Sequence, residues 1–299
     1  MRALVAALLL SGAACRAPAG ATGPGPHAGR HVELFVPPGA ARPPLVIVLH
    51  HGERSGREVR QLTGFDRVAA REKFVVAYPD GVDRHWNDGR PEIATGADDV
   101  AFIAWLIDEL AVRHGIDRSR VYVTGMSNGA MMAYRLGCEL SGRIAAIAPV
   151  AGQMPARLRC RPAAPLSVLA IIGTADPIVP PAGGELSTHH GQVRSAAASI
   201  APFAARAGCG PPAPPVTERD VDPTDGARAR RTGYPCPAPF AIELLALEGA
   251  GHTWPGGPQY LPPDKVGTVA RDFDGAERIW RFFAPRRRAT PGRAGRSWR

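Results

Sequence analysis

Two apolar runs, IAAIAPVAG (144–152) and LSVLAIIG (166–173), constrain the fold more than any other feature of this chain. Neither alternates polar with apolar residues. Such short continuous runs suit strands buried on both faces, the environment of a parallel sheet covered by helices. Their neighbours complete the pattern. HVELFV (31–36), LVIVLH (45–50), FVVAYP (74–79), VYVTG (121–125) and AIELLALEG (241–249) read as strands. Helical patterns stand between and after them. DDVAFIAWLIDELAVRHG (98–115) places apolar residues at 100, 103, 106, 107 and 110, on one helical face, with Asp98 or Asp99 able to cap its start. Residues 128–141, 192–208 and 272–284 also read as helices, the second perturbed by Pro202. Residues 210–238 are Pro-rich and read as irregular. Strand–helix alternation of this kind predicts an α/β fold with a mostly parallel central sheet flanked by helices.

The ends differ in composition from this body. MRALVAALLLSGAAC (1–15) pairs one arginine with a short apolar run and small residues, as a secretory signal does, and is too short to span a membrane. A buried N-terminal helix is the competing reading. Cys15 is a candidate lipid attachment site, although Gly12 stands where a lipoprotein signal usually carries Leu, Val or Ile. A single acylated cysteine would tether an otherwise soluble domain, and that is the membrane contact expected. Residues 16–30 read as a linker, 31–284 as one catalytic-sized domain and 285–299 as a basic disordered tail.

The formal charge of +9 first suggests nucleic acid. Its distribution argues against that partner. Six arginines lie after Pro285, and without them and Arg2 the remainder carries about +2. No basic stripe interleaves with aromatics. Four cysteines follow Cys15, namely Cys138, Cys160, Cys209 and Cys236. In an exported chain an even count favours disulfides, and sequential pairing (138–160 and 209–236) closes two short loops; free buried thiols are the alternative. No Cys-x-x-Cys spacing indicates a metal, and no cofactor is expected.

The chemistry centres on VYVTGMSNGAMMAYRL (121–136). Gly125-Met126-Ser127-Asn128-Gly129 places a serine between a predicted strand and a predicted helix, the context of a nucleophile elbow. Glycines there let neighbouring backbone pass close to a strained, exposed serine. A helix-capping serine is the bland alternative. A serine hydroxyl needs a base. In this chain order the base follows the serine, leaving His189, His190 and His252. His252 lies in EGAGHTWPGG, just beyond the last predicted strand, and is the choice; the other two sit in a polar segment. The acid that holds the base is Asp176, in GTADPIVP directly after a buried strand. Asp220, Asp222 and Asp225 are weaker candidates. Oxyanion donors are expected from the backbone N–H of Asn128 and of Gly52, with His51 as second choice. Trp86, Trp254 and His51 are candidates for the substrate cleft, against core packing for the two tryptophans and a scaffold role for His51.

The pieces LVIVLHHG, YPDGVDRHWNDG, DDVAFIAWLID, VYVTGMSNGAMMAYRLGCEL, RIAAIAPVAG, GTADPIVP and GHTWPGG occur in one order across most of residues 31–284. Together they resemble the secreted poly(3-hydroxybutyrate) depolymerase-like esterases of the α/β-hydrolase superfamily, a group that includes feruloyl and acetylxylan esterases. The resemblance implies hydrolysis of a carboxylic ester through an acyl-enzyme, with Ser127, Asp176 and His252 as triad and no metal. It implies as substrate a hydroxyalkanoate oligomer or an ester of plant polysaccharide, and it is consistent with the sequential cysteine pairing. One departure stands out. Relatives often carry glycines after the Leu-His of the oxyanion loop, where this chain reads HHGERSG, and Glu53 near a developing oxyanion would be repulsive unless Arg54 or solvent offsets it. That departure and Cys15 motivate an alternative, a non-catalytic envelope lipoprotein using the hydrolase fold as a binding scaffold.

Overall fold

The computed structural model describes residues 27, 29–93 and 95–288. The stretch read as a secretory signal, Cys15, most of the stretch read as a linker and the end of the tail lie outside them. Six strands run parallel through the middle of a nine-stranded sheet. They are β2 (Leu45–Leu49), β3 (Val75–Pro79), β4 (Val121–Met126), β5 (Ala146–Val150), β6 (Ser167–Gly173) and β11 (Ile242–Glu248), hydrogen-bonded in the order β3-β2-β4-β5-β6-β11. Every residue of β2 through β6 is buried, as their continuous apolar runs require. Antiparallel strands finish both edges. β1 (Val32–Phe35) pairs with β3, while β10 (Arg228–Tyr234) pairs with β11 and with the two-residue β9 (Val216–Thr217).

Helices cover both faces. α1 (Gly56–Thr63) and α2 (Phe65–Glu72) precede β3, and α7 (Gly275–Phe283) closes the chain on the same side. Phe74, Trp280, Tyr122 and Phe283 stack there in one aromatic layer. The opposite layer holds α3 (Asp99–His114), α4 (Asn128–Glu139) and α5 (Ala196–Ala207). Asp98 caps α3 by accepting from the Ala101 N–H at 2.9 Å. A small two-stranded sheet, β7 (Gly184–Glu185) with β8 (Gln192–Val193), and the single turn α6 (Pro263–Val266) lie in loops beyond strand ends.

The stretch 210–238 is not wholly irregular, because β9 and β10 lie in it. β10 reads RARRTGY, which lacks the apolar run of the central strands because it lies next to the sheet edge and is only partly buried. The domain limits also shift. Arg30, read as linker, ion-pairs with buried Asp99 at 2.6 Å and lies 4.1 Å from the centre of the Phe102 ring. Arg286–Arg288, read as disordered tail, are tied down: the Tyr122 hydroxyl donates to Arg286 O at 2.6 Å, Arg287 pairs with Asp117 at 3.1 Å, and Arg288 N–H donates to Ser119 O at 2.8 Å. Disulfides join Cys138 to Cys160 and Cys209 to Cys236. Among the described residues no helix is long and apolar enough to cross a membrane, and no cluster of His, Cys, Asp or Glu is positioned to hold a metal ion.

Candidate active site

β4 ends at Met126, α4 begins at Asn128, and Ser127 makes the whole turn between them. Its backbone is at φ 56°, ψ −117°, a region that costs a non-glycine residue on the order of 1–3 kcal/mol and persists only where the surroundings impose it. They do so here. Ser127 N–H donates to Val150 O at 3.0 Å, and Ser127 O accepts the first bond of the helix from Met131 at 2.9 Å. Gly129 is required beneath it, because a Cβ there would collide with Leu49 O and lie 2.6 Å from His50 O. The Ser127 hydroxyl makes no capping bond to α4, so the plain capping role does not describe it.

The imidazole and carboxylate come from two adjacent strand ends. Asp176 follows β6 and His252 follows β11, which are parallel neighbours. A close backbone approach joins their loops: a Cβ on Gly173 would run into Gly251 O, and one on Gly251 into Val266 O. Asp176 Oδ1 accepts from the N–H groups of Ile178 and Val179, both at 2.8 Å. Its Oδ2 accepts from His252 Nδ1 at 2.8 Å, with both side chains almost fully buried. The proton therefore sits on Nδ1 and leaves Nε2 as the basic nitrogen. His252 is held by its backbone as well, donating to Val266 O and accepting from the Tyr260 hydroxyl at 3.0 Å. Ser127 and His252 line one cleft of about 220 Å³, without a direct hydrogen bond between them.

Gly52 and Asn128 line the same cleft, and a Cβ built on Gly52 would lie 3.9 Å from that of Asn128. Neither backbone N–H has an acceptor among the described residues. Orientation of the Gly52 N–H follows from its neighbour. His50 Nδ1 donates to His51 O at 2.8 Å, and His50 Nε2 accepts from Gly81 N–H at 2.8 Å. In a trans peptide the carbonyl and the following N–H point opposite ways, so pinning His51 O fixes the direction of the Gly52 N–H. Burial holds the His50 pKa down at about 4, with its bond to His51 O opposing the shift.

Asn128 contributes more than its N–H. Its carboxamide accepts from Trp86 N–H at 2.8 Å and donates to Trp86 O at 2.9 Å and to Asp88 Oδ2 at 2.7 Å. Asp88 is fully buried and also paired with Arg90 at 2.6 Å, and Arg90 reaches His190 O at 2.7 Å. This network fastens the 86–90 loop to the elbow. Asp88 is not among the candidates read from the sequence; the polar pair after a tryptophan is the signal that could have found it.

The cleft differs from expectation in its aromatics. Trp86 and Trp254 do not line it; both are buried in the core. Trp86 Nε1 donates to His50 O at 3.1 Å, and Trp254 packs edge-on against Phe65. Nearness to His252 in sequence does not set the direction of the Trp254 ring. His51 does line the cleft, tilted against Tyr260 with ring centres 5.2 Å apart. Both its ring nitrogens are buried without a hydrogen-bond partner. Burial, then the nearby His252, lower its pKa to about 3, which favours its neutral form. Apolar walls come instead from Met131, Val179 and Leu186, which pack together beside Ile178. Glu53 is exposed, at φ 62°, and its N–H donates to Arg84 O at 2.9 Å.

A family model described as "Esterase PHB depolymerase" matches residues 31–164. The protein "Putative esterase NocK" of Nocardia uniformis subsp. tsuyamanensis is 31% identical over 270 residues, covering 83% of this chain and 77% of that protein. "Feruloyl esterase B" of Piromyces equi is 32% identical over 149 residues, 47% of this chain and 27% of that longer protein. Among solved structures, the acetyl xylan esterase from Aspergillus awamori superposes with a TM-score of 0.60 at 16% identity, over 86% of this chain and 94% of that one, which is a likeness of fold. The architecture is that of the α/β-hydrolases. With the matched family model and a relative aligned over most of both chains, this protein belongs to the PHB depolymerase esterase family and is a carboxylic-ester hydrolase.

Proposed function

We propose that this chain is an exported serine esterase in which Ser127 is the nucleophile, His252 the general base and acid, and Asp176 the residue that fixes the imidazole. The observation that carries this reading is the Asp176–His252 hydrogen bond within the cleft that also receives the uncapped, strained Ser127. His252 Nε2 takes the proton as Ser127 Oγ bonds to the ester carbonyl carbon. The N–H groups of Gly52 and Asn128 hold the negative oxygen of the tetrahedral intermediate, each worth about 2.7–4 kcal/mol in such sites. Collapse breaks the carbon–oxygen bond to the alcohol, which leaves with the proton from His252. Water then attacks the acyl-enzyme, His252 accepts its proton, and collapse returns a proton to Ser127 and frees the acid. The apolar wall of Met131, Val179 and Leu186 suits a short acyl chain.

Esters of hydroxyalkanoate oligomers and feruloyl or acetyl esters of plant polysaccharide are the proposed substrate classes, supported by the names of the relatives. Export is supported by the two disulfides; lipid on Cys15 is proposed as an optional anchor. Glu53 gives the binding-scaffold alternative little support, since its exposed side chain is open to solvent screening. Labelling by a fluorophosphonate probe, with hydrolysis of p-nitrophenyl acetate and butyrate, tests the reading. Wild type labels and turns over; Ser127→Ala does neither. Equal rates for the two proteins would remove Ser127 from the mechanism.

A further inference from the structure

The hydrolytic steps leave three imidazoles of the cleft unused, those of His51, His85 and His190, and of these His85 stands on a tight turn beside Gly52. His85 ends a tight turn in which its N–H donates to Val82 O at 2.9 Å, and the two central residues, Asp83 and Arg84, both have positive φ (49° and 61°). That is the backbone of a type I′ turn, a stiff and well-defined element. The turn is clipped to the oxyanion loop by the bond from Glu53 N–H to Arg84 O. The His85 ring therefore stands at a fixed place beside Gly52: a Cβ on Gly52 would lie 3.2 Å from His85 Nε2. Both residues line the cleft.

The protonation of this ring follows from its partner. His85 Nδ1 lies 2.9 Å from Asp83 O. A carbonyl oxygen only accepts, so Nδ1 carries the hydrogen, and in the neutral ring Nε2 is an acceptor. The ring is half-exposed, and Nε2 has no protein partner among the described residues. The site thus presents, beside a donor for the ester carbonyl, a lone pair that calls for an O–H or N–H group on the substrate.

We propose that His85 is a specificity residue that accepts a hydrogen bond from a hydroxyl close to the scissile ester. This rests on the esterase reading given above and adds to it the position of a polar group. The hydroxyl belongs either to the acyl part, two or three bonds from the carbonyl carbon, or to the alcohol part. The shared chemistry is a hydroxyl donor near the ester. A simple alkyl ester forgoes this bond and leaves the half-exposed Nε2 to water, whereas a substrate hydroxyl gains it on binding.

Two matched substrate pairs separate the sources: p-nitrophenyl 3-hydroxybutyrate against p-nitrophenyl butyrate, and 2-hydroxyethyl acetate against ethyl acetate. Wild type should prefer the hydroxylated member of one pair by about tenfold in kcat/KM. His85→Asn keeps a donor near the Nδ1 position for the turn and removes Nε2, so the preference should fall to near one. His85→Gln extends an amide oxygen toward the Nε2 position and should restore part of it. Thermal melts of each variant establish that it is folded. Preference retained in His85→Asn, or absent from wild type in both pairs while the plain esters are hydrolysed, overturns the assignment. Failure of wild type to hydrolyse any of the four would instead remove the esterase reading, and this proposal with it.

Discussion

The side chain of Asn128 forms a closed pair of hydrogen bonds with the main chain of Trp86, accepting from its N–H at 2.8 Å and donating to its carbonyl at 2.9 Å. The residue proposed to hold the oxyanion through its backbone thus also anchors the loop opposite it. Asn128→Ala breaks both bonds and strips one partner from buried Asp88. A lost partner leaves a buried polar group unpaired, at about 1–3 kcal/mol each. The expected result is a lower melting temperature and a fall in kcat of roughly 10- to 100-fold, since small misplacements at a reacting centre have effects of that size. Steady-state kinetics on p-nitrophenyl butyrate, run well below the melting temperature, check it.

Asp176→Asn probes the tautomer of His252. The asparagine oxygen would still accept from Ile178 and Val179, so the loop should keep its shape. Its amide would then face His252 Nδ1 with a donor and force the proton to Nε2. Activity should fall by roughly 10³- to 10⁴-fold with little change in stability. A loss of less than tenfold would mean that another group orients the base.

Stability should decline as the pH drops below about 6.5. His50 and His51 are neutral and buried, with pKa values lowered to about 4 and about 3. Between those values and 6.5 the unfolded chain binds more protons than the folded one, so lowering the pH favours unfolding throughout that window. By pH 4.5, about two pH units into the window, each residue has cost roughly 2.5–3 kcal/mol. Calorimetric melts between pH 8 and pH 4.5 should show the decline, and His51→Gln should flatten it.

The disulfides close loops of 22 and 27 residues. Chain-entropy reasoning gives about 3.5 kcal/mol for each. Replacing both cysteines of either pair with serine should lower the melting temperature by about 5–12 °C for a domain of this size. The Cys138–Cys160 pair lies near the far end of α4 from Ser127, so its removal should leave the fluorophosphonate reaction of folded protein intact.

The parallel core was legible because strands buried on both faces carry their signature in every residue. The candidate triad was legible for a related reason: strand ends fix where the following loop begins. What sequence did not carry was side-chain direction. Trp254 is two residues from His252, yet its ring turns into the core against Phe65. Trp86 turns inward to reach His50 O. Asp88 is buried through a partner 40 residues away, a contact no local pattern encodes. β10 was missed because partly buried strands near an edge tolerate arginines, and α1 because its short span is mostly polar and is stabilised by the cap of Ser55 and by packing.

Gly129 has a wider consequence. Its missing side chain lets the first turn of α4 rest directly on the carbonyls that end β2. The proposed nucleophile and the proposed oxyanion loop are thereby cast as one block, leaving little slack between them for adaptation. Diversification toward new esters then falls to outer cleft residues such as Leu186, Thr188 and Leu261, which make no hydrogen bond to Asp176 or His252.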